Sequence, residues 1–182
     1  MADRVYPPVI AAARAMFATL GLHFLESGTE NVPTSGGAVL VANHVSYLDF
    51  IFAGLAAHPS HRLVRFMAKE SIFKHPIAGP LMRGMHHIPV DREAGASSYA
   101  AALRALRAGE IVGVFPEATI SRAFELKDFK SGAVRLAMSS GVPRRLAGTK
   151  FAKYRSTFSD SSPHMGVRIT PGSTALTRMS GP

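Results

Sequence analysis

Short apolar runs alternate with longer helix-period segments along this chain. Strand-like segments lie near 38–42, 63–68, 86–90 and 111–115, the first and last continuously apolar, each short enough for a buried strand. Helical patterning predicts helices near 8–23, 48–57, 97–108 and 130–140. The clearest runs from Ser97 to Arg107, rich in good helix formers and closed by Gly109. Between Ser71 and Met85 the pattern is helical, but Pro76 and Pro80 interrupt it, which predicts two short pieces. Strands that alternate with helices predict an α/β domain with a largely parallel sheet flanked by helices. Such sheets bind ligands at the carboxyl ends of their strands, so chemistry is sought first after each apolar run.

After the first run comes Asn43-His44-Val45-Ser46-Tyr47-Leu48-Asp49. On one continuous helix, residues five apart diverge by roughly 140°. His44 and Asp49 therefore meet only if the chain turns between them, most simply at a strand-to-helix junction. A neutral imidazole held by a carboxylate is suited to taking a proton from a hydroxyl. The unpaired N–H groups of such a junction would be available to a developing oxyanion. The pair alone leaves a second reading open, in which His44 only satisfies a loop. Ser46 lacks the Gly-x-Ser-x-Gly surroundings of a nucleophile and reads as a turn or helix-start residue. Glu117 follows Pro116 at the end of the 111–115 run. Carboxylates seldom occupy such places unpartnered, so Glu117 is expected to line a cleft and bond a substrate hydroxyl or a basic side chain.

Two further groups have more than one reading. Ile72, Phe73, Ile77, Leu81 and Met82 could line an apolar channel or be ordinary core. His86-His87 invites a metal, but neighbours on a strand face opposite ways and no third ligand is evident, so no metal is expected.

Three blocks occur in order: Asn43-His44 through Asp49, then His87-Ile88-Pro89-Val90-Asp91-Arg92, then Phe115-Pro116-Glu117-Ala118-Thr119-Ile120-Ser121-Arg122. Together they resemble the NHx4D, (F/P)-(I/V)-D-R and F-P-E-G-T-R-S blocks of the glycerolipid acyltransferases, notably the 1-acylglycerol-3-phosphate acyltransferases. Phe129-Lys130-Ser131-Gly132 resembles the segment that follows the third block, and the likeness covers roughly residues 33–143. It implies transfer of a fatty acyl group from acyl-CoA or acyl-carrier protein to a hydroxyl of lysophosphatidate or a related lysophospholipid. His44 would be the base and Asp49 its orienting acid. Arg92, Glu117, Thr119 and Arg122 would bind substrate, and no cofactor is implied. Without the resemblance, Arg92 reads as a surface arginine paired with Asp91 or Glu93. Ala118 and Ile120 depart from the glycine and arginine of the family's third block. A lysophospholipid or glycolipid whose phosphate is masked, or held another way, is then a plausible acceptor. Rival readings are a catalytically silent lipid-binding protein and a thioester or lipid hydrolase that uses the same histidine.

Composition sets outer bounds. The 182 residues, 47% of them apolar, are enough for one domain with a real core. With no cysteine there can be neither disulfides nor thiolate metal sites. The net charge of +9 is uneven: residues 1–143 carry 14 Lys and Arg against 11 Asp and Glu, and residues 144–182 carry 7 against 1. Basic tails favour anionic lipid surfaces, and no stripe of interleaved aromatic and basic residues suggests nucleic acid. The division expected is a helix and linker over 1–32, interfacial or packed on the core, an acyltransferase core over 33–143, and a basic tail over 144–182. The tail departs from the family's apolar, Pro-containing fourth block and is expected to be partly disordered; if a core strand is missing there, the fold would lose stability and activity even with His44 intact. Val167–Thr170 is its one strand-like piece. No signal peptide or membrane span is evident, and the expected location is peripheral, on the cytoplasmic face of a membrane.

Overall fold

The computed structural model describes residues 3–21, 26–44, 46–91, 93–120, 129–141, 148–152 and 166–170. Four parallel strands form the centre: β2 (Ala38–Ala42), β3 (Val64–Lys69), β4 (Ile88–Val90) and β5 (Ile111–Val114). β1 (Glu26–Ser27), β6 (Gly148–Ala152) and β7 (Gly166–Thr170) extend the sheet to the order β1-β7-β6-β2-β5-β3-β4. β7 runs antiparallel to β6, and every other pairing is parallel. The helices are α1 (Tyr6–Thr19), α2 (Asp49–Ala56), α3 (Glu70–Phe73), α4 (Ala78–Gly84), α5 (Gly95–Arg107) and α6 (Gly132–Ser140).

Period-two alternation divides the core between the two faces of the sheet. Leu40, Val64, Phe66 and Ile111 pack with Ala53 and Ala56 of α2. Val39 and Val112 pack with Ala102 and Leu106 of α5 and Leu136 of α6. β2 pairs with β5 through Ala38↔Ile111 and Leu40↔Gly113, and β3 pairs with β5 through Phe66↔Gly113. Leu40, Gly113 and Phe66 thus form one row across the sheet.

The expected α/β class, the four apolar strands and the broken helix between Ser71 and Met85 are all present. Three details differ. α1 begins at Tyr6, so Pro7 and Pro8 lie inside its first turn, where a missing N–H costs no hydrogen bond. β4 begins at Ile88, because His86 has a left-handed backbone with φ 56°, so strand alternation does not govern the histidine pair. The place beside β2 is filled by β6, a strand of the tail that the sequence pattern did not mark. An edge of unpaired backbone groups on a central strand is costly, and Gly148–Ala152 pairs with it despite a weak apolar pattern. The disorder expected for the rest of the tail falls on residues outside those described.

Arg65 anchors the N-terminal segment. Its Nη1 and Nη2 donate to Asp3 at 3.0 and 2.8 Å, Nη1 also reaches the Met85 carbonyl at 2.9 Å, and Nη2 reaches Glu110 Oε1 at 3.1 Å. The Arg65 hydrogen bond and charge hold the Asp3 carboxyl below the usual carboxylate range. Tyr6, buried at the start of α1, donates to the Val64 carbonyl at 2.7 Å. Among the described residues, no helix is long and apolar enough to cross a membrane.

Candidate active site

β2 ends at Ala42, and α2 begins seven residues later with Asp49 as its first residue. The intervening turn brings His44 and Asp49 together: Nδ1 of His44 lies 3.0 Å from Asp49 Oδ2. The His44 side chain is 21% exposed and that of Asp49 is fully buried. With the acid as acceptor, Nδ1 carries the proton and Nε2 keeps a lone pair. The same Oδ2 accepts the Ser46 backbone N–H at 2.7 Å, which fixes the carboxylate against the turn. Ser46 is a turn residue whose Oγ accepts the Leu48 N–H at 3.2 Å.

Four N–H groups of this junction are engaged by the protein itself. Those of Ser46 and Leu48 bond as above, that of Asp49 goes to the Ser46 carbonyl at 3.3 Å, and that of His44 goes to Glu117 Oε1 at 3.0 Å. The expectation that they would serve an oxyanion is therefore corrected for these four residues. Tight turning here is possible because side-chain oxygens take the place of helical carbonyls.

Glu117 is buried and joins the third block to the first through this bond. Its Oε2 has no hydrogen-bond partner among the described residues. The chain turns from Phe115 to Ala118, whose N–H reaches the Phe115 carbonyl at 3.1 Å. Ala118 adopts φ 57°, the left-handed conformation that suits the glycine of the resembling block. Thr119 lies exposed in the same turn. Arg92 and Arg122 lie outside the described residues. Phe115, which opens the third block and was given no role from the sequence, stacks on the His44 ring with centroids 4.3 Å apart.

Beside α2 an apolar cleft of about 190 Å³ is lined by α1, α2 and α4, including Ile10, Phe50, Gly54, Leu81 and Met82. Of the five residues considered for a channel, Leu81 and Met82 line it. Phe73 is instead core, and Ile72 and Ile77 are exposed. His87 also lines the cleft, with Nδ1 accepting the Phe66 N–H at 3.0 Å. Burial, with Arg65 and His86 adding to it, lowers the His87 pKa to about 4.

A histidine–carboxylate pair follows one parallel strand of this α/β fold and is tied to a glutamate that follows the neighbouring strand. The chain belongs to the acyltransferase family, whose model, described as "Acyltransferase", matches residues 23–144. It is similar to the 1-acyl-sn-glycerol-3-phosphate acyltransferase of Bacillus subtilis, 36% identical over 115 residues, 63% of this chain and 56% of that protein. The enzyme of the same name from Borreliella burgdorferi is 30% identical over 126 residues, 67% of this chain and 49% of its own length. The chloroplastic LPAT1 of Arabidopsis thaliana is 38% identical over 129 residues, 67% of this chain and 35% of its own. The chain thus spans about half the length of the two bacterial relatives. The crystal structure of the 1-acyl-sn-glycerophosphate acyltransferase PlsC from Thermotoga maritima shares the fold. Its TM-score is 0.66 at 20% identity, over 96% of this chain and 70% of that one.

Proposed function

We propose that this chain transfers a fatty acyl group from acyl-CoA or acyl-carrier protein to a hydroxyl of lysophosphatidate or a related lysophospholipid, without a cofactor. The observation that carries this reading is the His44–Asp49 pair. Its Nδ1 is committed to a buried carboxylate and its Nε2 is left to accept a proton. Nε2 takes the proton of the acceptor hydroxyl as that oxygen attacks the thioester carbonyl. The new C–O bond forms, the tetrahedral intermediate collapses, the C–S bond breaks, and the thiolate leaves with the proton from Nε2. Asp49 stabilises the imidazolium between the two transfers, as the acid of a triad does. A thioester is already activated, so no acyl-enzyme is required.

The apolar cleft beside α2 suits the acyl tail, since Phe50 and Ile51 follow Asp49 directly and line it. Each methylene buried there would contribute about 0.8 kcal/mol. Glu117 Oε2 is the candidate partner for an acceptor hydroxyl, while Arg92, Thr119 and Arg122 are the candidate headgroup ligands. Ile120, standing where the related block has arginine, favours an acceptor whose phosphate is held elsewhere. Such substrates place the protein at a membrane surface, as a peripheral protein of the cytoplasmic face.

The test is thiol release from a long-chain acyl-CoA, with and without lysophosphatidate, for this chain and for His44→Ala. The expected result is acceptor-dependent release that falls about 10²- to 10⁴-fold in the variant. His44-dependent release without acceptor would make the chain a hydrolase. Vesicle binding with no turnover from either CoA or carrier-protein donors would make it a silent lipid binder.

A further inference from the structure

His44 is not held by Asp49 alone. One hydrogen bond leaves the imidazole able to swing about the Nδ1···Oδ2 line, and Nε2 with it. The face of Phe115 blocks that swing, with ring planes inclined by 19° and centroids 4.3 Å apart. Behind Phe115 the ring of Phe66 stacks in turn at 5.8 Å and 13°. Phe66 is itself buried and braced edge-on by Phe50 at 6.3 Å and by His87 at 5.8 Å.

The foundation of this column is Gly113. It is opposite Phe66 in the sheet register and has no positive φ that would demand glycine. The close approach of the ring demands it. A Cβ at this position would collide with the Phe66 ring and come within 2.8 Å of Val64 Cγ1. The bare backbone of β5 lets Phe66 lie over it, and Phe66 backs the ring that backs His44.

We infer that Phe115 is a positioning residue for the transfer, fixing the plane of His44 and offering its π face to the imidazolium that forms, with Phe66 and Gly113 as its support. A cation over an aromatic face is attracted by the ring quadrupole, whereas neutral imidazole gains less, so the contact favours the charged state reached during reaction. The inference rests on His44 acting as the base.

The experiment compares Phe115→Leu, Phe115→Met and Phe115→Tyr with the parent chain and with His44→Ala, by steady-state kinetics and by NMR of ring-labelled histidine. Leucine and methionine keep apolar bulk without a ring face, and tyrosine keeps the face. Both ring-free variants are expected to lose roughly 5- to 30-fold in kcat, with KM for donor and acceptor little changed. Tyrosine should restore most of that loss. The ring-current displacement of the His44 signals should vanish with Leu or Met and persist with Tyr. If one ring-free variant fails to fold, the other decides. Ring-free variants within twofold of the parent in kcat, a tyrosine variant as slow as they are, or His44 signals unmoved by loss of the ring would overturn the inference. A fully active His44→Ala would instead remove the reading beneath it, an outcome the other variants cannot mimic.

Discussion

Ala118 holds a left-handed backbone at φ 57° with a Cβ that this conformation penalises. The conformation persists because its neighbours impose it: Ala118 N–H is bound to the Phe115 carbonyl, and the Pro116 carbonyl accepts the Lys130 N–H at 3.0 Å. Glycine would carry no such penalty, so Ala118→Gly is expected to stabilise the fold by about 1 kcal/mol. Urea unfolding measures it, and a destabilised variant would show that the turn is not strained. Glu117→Gln keeps an oxygen that can accept the His44 N–H, whereas Glu117→Ala leaves that half-buried donor without it, at a cost of about 1–3 kcal/mol. The two variants should therefore separate in thermal unfolding, alanine falling well below glutamine. Equal stabilities would count against the tie.

At the scale of elements, the attachment of α1 depends on charge as well as packing. Only Tyr6 and Phe17 of this helix are buried, and Asp3 just before it meets an Arg65 that is nearly inaccessible. Asp3→Ala would leave that guanidinium with the Met85 carbonyl and Glu110, a loss of about 1.5–3 kcal/mol for bonds to a charged group. Hydrogen exchange in α1 should accelerate in this variant while β2 and β5 stay protected. Uniform acceleration would mean that α1 opens only with the whole domain.

The elements also show what was readable in the chain and what was not. β2 and β5 are continuous apolar runs because both their faces are covered, and such runs are visible without a structure. His44 and Asp49 were legible because their spacing has few geometric solutions. β6 was not, since its place comes from the open edge of β2 rather than from its own residues. Phe115 was hidden for another reason: within an apolar run, nothing in a residue's identity tells which ring it will face. Gly113 was the available signal, a glycine inside an apolar strand where close approach is the usual cause.

Across the whole molecule, His87 makes stability depend on pH. Its folded pKa of about 4 lies below the ordinary value of 6.5. Between these values the unfolded chain binds a proton that the folded chain refuses, so stability falls as pH drops from about 6.5 to 4. The full contribution is of order 3 kcal/mol, from 1.36 kcal/mol per pKa unit. His87→Gln, which can still accept the Phe66 N–H, should flatten that part of the curve. Urea midpoints measured between pH 4 and 7 would tell, and parallel curves for the two proteins would assign the acid sensitivity elsewhere.

The bond from His44 N–H to Glu117 spans 73 positions of sequence. A chain emerging from the ribosome has made its histidine and its aspartate long before the glutamate that steadies them exists, and at about 5–20 residues per second the gap is some seconds long. Throughout that interval the turn after β2 lacks its acceptor and β2 lacks β5. The centre thus cannot switch on piecemeal during synthesis; it arrives in one step, when the third block docks beside the first.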